Sequence, residues 1–198
     1  MYISKLVINN YRSFKNFTIT LKPLTLIIGE NNIGKSNLLD SIGLIFGQDI
    51  SYFKKRMLEV ADFNYDVILD FKRQVLDLTI PIEQIEYPKI IIEATLKNWD
   101  EDQEAVISDW YSNDSFTEAS LTYVFAPSSK FNKLDELQQQ RNFITKCRNE
   151  MTPEIFDNLL ENAKLDLVNF PISKYQYNIY GGANVEKTVK LTTQFHFN

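Results

Sequence analysis

The residues of this chain whose types and spacing could do chemistry begin with eight consecutive positions, Gly29-Glu30-Asn31-Asn32-Ile33-Gly34-Lys35-Ser36. The two glycines let the backbone curl so that successive N–H groups point inward at an anion. Lys35 would add a fixed positive charge near the β- and γ-phosphates of a nucleotide, and the Ser36 hydroxyl could ligate Mg²⁺. The sequence therefore predicts a phosphate-binding loop at residues 29–36, with ATP and Mg²⁺ as the expected ligands.

Such a loop needs a strand before it and a helix directly after it. Residues 24–28 form a short apolar run without alternation, which is typical of a strand buried on both faces of a sheet. After the loop, apolar residues recur at the spacing of one helix face: Leu38, Leu39, Ile42, Ile45 and Phe46. Gly47 is expected to end this helix, whose positive dipole end would face the same anion.

The rest of the pattern predicts an α/β fold. Residues 2–8 are rich in β-forming residues, and alternation of apolar and polar residues predicts strands at 17–21, 90–97, 119–125 and 175–179. We find no internal repeat and no linker long enough to separate two domains. The strands before and after the loop would thus belong to one fold.

Helices are expected between these strands. Asp100 is typical of a helix start, a stripe over residues 134–148 predicts a longer helix, and Pro153 suits the first position of another. Residues 51–60 are compatible with a short helix. Residues 67–71 fit either a strand or part of a helix.

Composition and charge narrow the class of protein. The chain has 198 residues and a mass of 23.1 kDa, which predicts one domain or one domain with a small lobe. Its single cysteine and single histidine exclude an intrachain disulfide and a multi-histidine metal centre. Without an apolar run of about 18 residues or a signal-peptide pattern, we expect a cytoplasmic protein with no membrane segment.

The net charge of −5 gives no overall electrostatic footprint for nucleic acid. The charge is uneven, however. Residues 1–60 hold eight basic and four acidic residues, so this part is net positive while the rest is strongly negative. A phosphate-bearing ligand would be better received at the N-terminal end.

The opening of the chain resembles a known family. The segment Asn10-Tyr11-Arg12-Ser13-Phe14, then an alternating strand, then the loop followed by Asn37 to Ile42, is similar to the N-terminus of ABC-type P-loop ATPases of the RecF/SMC group. Within that group it looks closest to the overcoming-lysogenization-defect (OLD) nucleases and related anti-phage ATPases. The specific part of the resemblance covers residues 1–47, about a quarter of the chain.

The resemblance implies a fold and a domain plan. The fold would be an α/β P-loop NTPase of ABC type, and this chain its N-terminal lobe with a mixed or antiparallel sheet and helical insertions. Residues 1–198 would be the N-terminal portion of an ATPase head, with the C-terminal lobe and any nuclease domain outside this chain.

The resemblance also assigns roles to individual residues. Arg12 would lie beside the nucleotide, Asn31 would approach the γ-phosphate side, Lys35 would bind phosphate as the catalytic lysine, and Ser36 would hold magnesium. The expected nucleotide-binding set comprises Arg12, Gly29, Glu30, Asn31, Asn32, Ile33, Gly34, Lys35, Ser36 and Asn37. Asn32 departs from the glycine often found there, but asparagine tolerates a left-handed backbone.

Partners and activity follow from the same resemblance. ATP would be sandwiched between two heads, which implies a homodimer or higher oligomer, and a nuclease or effector subunit could assemble with them. The complete protein would couple ATP binding and hydrolysis to DNA recognition or cleavage in anti-phage defence or DNA repair.

Several parts that ABC-type hydrolysis needs are not recognisable. We find neither a signature motif nor an apolar strand ending in Asp-Glu; the run ending at Asp70 comes too early. Two alternatives therefore stay open. One is a non-hydrolysing nucleotide-binding assembly module, and the other is a small P-loop kinase, which would need further arginines near the transferred phosphate.

Overall fold

The computed structural model describes residues 1–30, 34–47, 58–151 and 153–183, which form two compact units. The first unit takes its residues from Met1–Asn64, Lys89–Phe125 and the chain from Gln176 onward, and the second from Tyr65–Pro88 and Ala126–Tyr175. The start of the predicted loop helix thus lies in the first unit. In the part of the chain so described, no helix has the length and apolar character needed to cross a membrane.

A five-stranded sheet dominates the first unit. Its strands are β1 (Tyr2–Tyr11), β2 (Phe14–Thr20), β3 (Ile90–Lys97), β4 (Ala119–Pro127) and β5 (Tyr175–Gly181), in the order β2-β1-β3-β4-β5. β1 pairs antiparallel with both β2 and β3, and β3 pairs antiparallel with β4. The strand predicted at residues 2–8 and the four strands predicted from alternation are confirmed, and together with the helices they give the expected α/β architecture.

The register explains the alternation in the sequence. Leu6 lies opposite Ala94, and Ile8 lies opposite Ile92, and all four side chains are fully buried. Lys5, one position away, lies opposite Thr95 on the other face of the sheet. Because side chains alternate between faces, one face is apolar and the other polar.

Among the described residues there are six α-helices, distributed over the two units. They are α1 (Lys35–Phe46), α2 (Tyr65–Leu76), α3 (Glu101–Ile107), α4 (Lys133–Glu150), α5 (Pro153–Asp157) and α6 (Glu161–Leu165). The predicted helix starts at Asp100 and Pro153 are confirmed, and Asp100 caps α3 by accepting a hydrogen bond from the Gln103 N–H. The ambiguous run at 67–71 belongs to α2. Of the possible short helix at 51–60, residues 51–57 lie outside the described residues.

Helix α1 follows the predicted loop and lies against β1 and β3. Its buried residues are Leu38, Ser41 and Ile45, and the Gly47 N–H closes its last turn on the Gly43 carbonyl at 2.8 Å. The end predicted at Gly47 is therefore confirmed. Leu39, predicted as part of the apolar face, is 64% exposed and points away from this packing.

The predicted buried strand at residues 24–28 is wrong. The segment is not a strand and pairs with no described strand, and Leu24, Leu26 and Ile28 are 90%, 80% and 84% exposed. An apolar strand of this kind needs hydrogen-bonded neighbours at its edges and cover on both faces. The described sheet has its edges at β2 and β5 and does not include this segment.

Arg141 organises the second unit. This buried side chain on α4 donates hydrogen bonds to four backbone carbonyls at and beyond the end of α2, those of Gln74, Val75, Asp77 and Ile80, at distances of 2.6–3.3 Å. The last carbonyls of a helix have no partner within the helix, and a cation there also meets the negative end of the helix dipole. Burial lowers the pKa of Arg141, while nearby Asp77 opposes that effect.

Replacing Arg141 should destabilise this unit. We expect Arg141→Ala to lower the free energy of unfolding by about 3 kcal/mol, because buried carbonyls lose charge-assisted hydrogen bonds. Urea unfolding followed by circular dichroism would measure the change. Arg148→Ala is the matched control, since its ion pair with Asp157 is exposed and should be worth less than about 1 kcal/mol. Equal effects of the two substitutions would contradict this assignment.

Candidate nucleotide-binding site

Gly34, near the C-terminal end of the predicted loop, lies close to the turn that joins β1 to β2. Its φ angle is 101°, in the left-handed region that side chains rarely adopt. A Cβ atom at this position would lie 2.8 Å from Ser13 Oγ and 3.3 Å from the Phe14 ring. The backbone angle therefore favours glycine here, and any side chain at this position would also have to displace the Ser13 hydroxyl.

The start of α1 is shaped to receive an anion. The first turn contains no acidic residue, and no side chain caps its N–H groups. Ser36 is exposed there, and its hydroxyl makes no hydrogen bond with the residues that the structure describes. Free N–H groups at the positive end of a helix favour phosphate, and a hydroxyl oxygen beside them suits Mg²⁺, which prefers oxygen ligands.

Lys35 reaches back across the loop. Its Nζ donates hydrogen bonds to the backbone carbonyls of Gly29 and Glu30, at the start of the predicted loop. Both carbonyls belong to exposed residues, so the ammonium group stays accessible from solvent. The contact joins the two ends of the loop and holds a positive charge beside the first turn of α1.

Arg12 connects the β1–β2 turn to α1. Its Nε donates to Asp62 Oδ1 at 2.9 Å, and its Nη1 donates to Asn37 Oδ1 at 3.1 Å and to the carboxylate of Asp40. Asn37 in turn donates to Ser13 Oγ at 2.9 Å. The guanidinium thus bridges Asn37, which directly follows Ser36 on α1, and Asp62, which lies outside the helix.

The backbone of Arg12 is fixed by the same neighbours. Arg12 has a positive φ of 47°, which is uncommon for a residue other than glycine. Its N–H donates to the Asp62 carbonyl at 2.8 Å, and its own carbonyl accepts from Asn64 Nδ2 at 2.8 Å. Partial burial lowers the pKa of Arg12, but the hydrogen bonds to Asp40 and Asp62 outweigh this and raise the pKa above its usual value.

The structure brings part of the predicted set together. Arg12, Gly34, Lys35, Ser36 and Asn37 surround the first turn of α1, and Lys35 links this turn to Gly29 and Glu30. Asn31, Asn32 and Ile33 lie outside the described residues. The side chain of Asn37, predicted to bind nucleotide, already bonds Arg12 and Ser13.

Two carboxylates at this site, those of Asp40 and Asp62, were not predicted from the sequence. Asp40 follows Asn37 by three residues and so shares its helix face, a spacing that was visible in the sequence. Asp62 lies 50 residues from Arg12 and is brought there only by the tertiary structure. It is almost fully buried, and its second oxygen accepts from the Glu59 N–H at 3.0 Å in a capping box.

The arginines that follow residue 56 bind other groups of the protein. Arg73 pairs with Glu161 at 2.7 Å, and Arg148 pairs with Asp157 at 3.1 Å. Together with Arg141 on its carbonyls, these are the arginines that follow residue 56. The structure shows no group of three or more acidic, histidine or cysteine side chains placed to hold a metal ion among its described residues.

Comparison with known proteins supports the same chemistry. Residues 1–197 match the family model described as an AAA ATPase domain. The DNA replication and repair protein RecF of Arthrobacter sp. (strain FB24) is 41% identical over 46 residues, which make up 23% of this chain and 12% of RecF. The chain therefore corresponds to only a small part of that relative's length.

The close contact at Gly34 predicts a sharp difference between two glycines of this region. Gly34→Ala should weaken nucleotide binding by about tenfold or more, because both the backbone angle and the contact with Ser13 oppose a side chain. Gly43→Ala on α1 is the matched control, since no atom lies within 4 Å of its Cβ position. Titration with a fluorescent ATP analogue would compare them, and equal affinities would contradict the role of Gly34.

Proposed function

Because the chain belongs to the AAA ATPase domain family, we propose that it is the ATP-binding part of an ABC-type ATPase of the RecF/SMC/OLD group. The observation that carries the proposal is the start of α1. There a left-handed Gly34, the Lys35 ammonium on the loop carbonyls and the exposed Ser36 hydroxyl lie together. This is the arrangement that phosphate binding by a P-loop requires.

Each of these groups has one task. The N–H groups at the start of α1 would donate hydrogen bonds to the phosphate oxygens, and Lys35 would neutralise the charge on the β- and γ-phosphates. Ser36 would supply an oxygen ligand to Mg²⁺, and the metal would contribute positive charge that stabilises the triphosphate. Arg12 would add a second positive charge from the β1–β2 turn.

We further propose that ATP engagement is coupled to DNA in the complete protein. The likeness to RecF, whose name describes a DNA replication and repair protein, supports a repair role, and the resemblance to OLD nucleases supports a role in anti-phage defence. Two ATPase heads would then assemble around the nucleotide as a homodimer or larger oligomer, with a nuclease or effector subunit as a possible addition.

The alternatives differ in what happens to the γ-phosphate. A small kinase needs arginines at the transferred phosphate, but Arg73, Arg141 and Arg148 bind groups of the protein. This favours the ATPase over the kinase. A non-hydrolysing module would bind ATP without turnover, so single-turnover assays with and without small phosphoryl acceptors separate all three.

Removing the charge of Lys35 tests the nucleotide site directly. Lys35→Ala should abolish measurable ATP·Mg²⁺ binding in calorimetry, because the helix start alone cannot balance the triphosphate charge. Lys22→Ala, an exposed lysine ahead of the loop, is the matched control and should bind as the unaltered protein does. Intact affinity in Lys35→Ala would refute the proposed site.

The exposed apolar segment at residues 24–28 supports a second part of the proposal, that the ATPase head continues beyond this chain. Leu24, Leu26 and Ile28 are more than three-quarters exposed, whereas apolar runs of this kind are normally covered. The matched part of RecF is only 12% of its length, so further polypeptide is available in such relatives. We propose that a C-terminal lobe covers this segment.

Hydrogen exchange would test the cover over residues 24–28. In the isolated 198-residue chain their amides should exchange at rates close to those of an unfolded peptide, because no described strand bonds them. In the endogenous protein, purified with its partners, the same amides should be protected by about a hundredfold or more. Equal exchange in both samples would contradict a covering lobe.

A further inference from the structure

The two carboxylates that bind Arg12 differ in position and surroundings. Asp62 is 5% exposed, and its two oxygens accept from Arg12 Nε and from the Glu59 N–H. Its backbone carbonyl also accepts the Arg12 N–H at 2.8 Å. Asp62 therefore holds both the side chain and the backbone of Arg12 through hydrogen bonds.

Asp40 lies on α1 itself, four residues after Ser36 and thus on the same helix face. Its side chain is 43% exposed and binds Arg12 Nη1, the nitrogen that also donates to Asn37. At a rise of about 1.5 Å per residue, it lies roughly 7.5 Å along the axis from Lys35 at the start of α1. A carboxylate bound to Arg12 at this position competes with an incoming phosphate for the guanidinium.

Resting on the nucleotide site proposed above, we infer that the two carboxylates act on ATP binding in opposite directions through Arg12. Asp62 is a positioning residue that holds Arg12 toward α1, and Asp40 is a competing anion that yields Arg12 to the phosphate when nucleotide binds. The Nη2 atom of Arg12 makes no hydrogen bond with a described residue, so a phosphate oxygen can engage the guanidinium before Asp40 is released.

The exchange leaves Arg12 with the same number of anionic partners. Before binding, the guanidinium contacts the carboxylates of Asp40 and Asp62. After the exchange, Arg12 keeps its bond to Asp62 and trades Asp40 for a phosphate oxygen. The exposed Asp40 carboxylate is solvated by water, which the nearly buried Asp62 could not achieve at similar cost.

The opposite signs can be measured with isosteric substitutions. Asp62→Asn has one acceptor oxygen and cannot serve both Glu59 and Arg12, so ATP·Mg²⁺ should bind about tenfold more weakly. Asp40→Asn removes the competing charge and should bind ATP·Mg²⁺ about threefold more tightly. Asp66→Asn, an exposed carboxylate at the start of α2, is the matched control and should change nothing.

A double-mutant cycle separates positioning from structure. In the Arg12→Gln background both substitutions should change the ATP affinity by less than about twofold, because their effects pass through Arg12. Thermal unfolding of each variant shows whether it folds. If Asp62→Asn fails to fold, Asp40→Asn in the two backgrounds still decides, since its side chain is exposed.

The outcomes distinguish this inference from the function on which it rests. If the unaltered chain binds no ATP, the proposed function is wrong and this inference falls with it. If the unaltered chain binds ATP but the two substitutions shift affinity in the same direction, or not at all, the inference alone is overturned. An Asp62→Asn effect that persists in Arg12→Gln would likewise show a merely structural role.

Discussion

The close approach of the β1–β2 turn to the first residue before α1 is the constraint on which the site depends. Gly34 leaves no room between its backbone and the Ser13 hydroxyl. Because the helix starts against this turn, Asn37 on its first turn can reach Ser13, and Arg12 can reach α1. If a side chain at position 34 pushed α1 away from the turn, the hydrogen bonds from Asn37 to Ser13 and from Arg12 to Asn37 would be lost.

The same turn carries backbone conformations that are normally unfavourable. Asn10 and Arg12 both have positive φ angles, each of which costs about 1 kcal/mol or more in a residue with a side chain. Hydrogen bonds compensate, because the backbone carbonyls of Asn10 and Arg12 accept from Asn64 and the Arg12 N–H donates to Asp62. The segment Glu59–Asn64 thus holds the turn in the shape that presents Arg12 to α1.

The sequence predicts what is local and misses what needs a neighbour. The strand at 90–97 was predictable because its alternation reports one buried face, and helix α1 was predictable because its apolar residues recur at helical spacing. Residues 24–28 misled the prediction, since an apolar run indicates a buried strand only if other strands lie beside it. The pairing of Asp62 with Arg12 had no local signal, because 50 residues separate them.

The two ends of the predicted loop are supported differently. Its C-terminal end is anchored by Gly34 and α1, whereas its N-terminal end continues from an exposed segment that no described strand supports. The contacts that join the ends are those from Lys35 to the carbonyls of Gly29 and Glu30. Lys35, the lysine proposed to neutralise phosphate, therefore also contacts the start of the loop. The proposed cover over residues 24–28 would change how strongly Lys35 is held there, and would in this way link nucleotide affinity to assembly of the complete head.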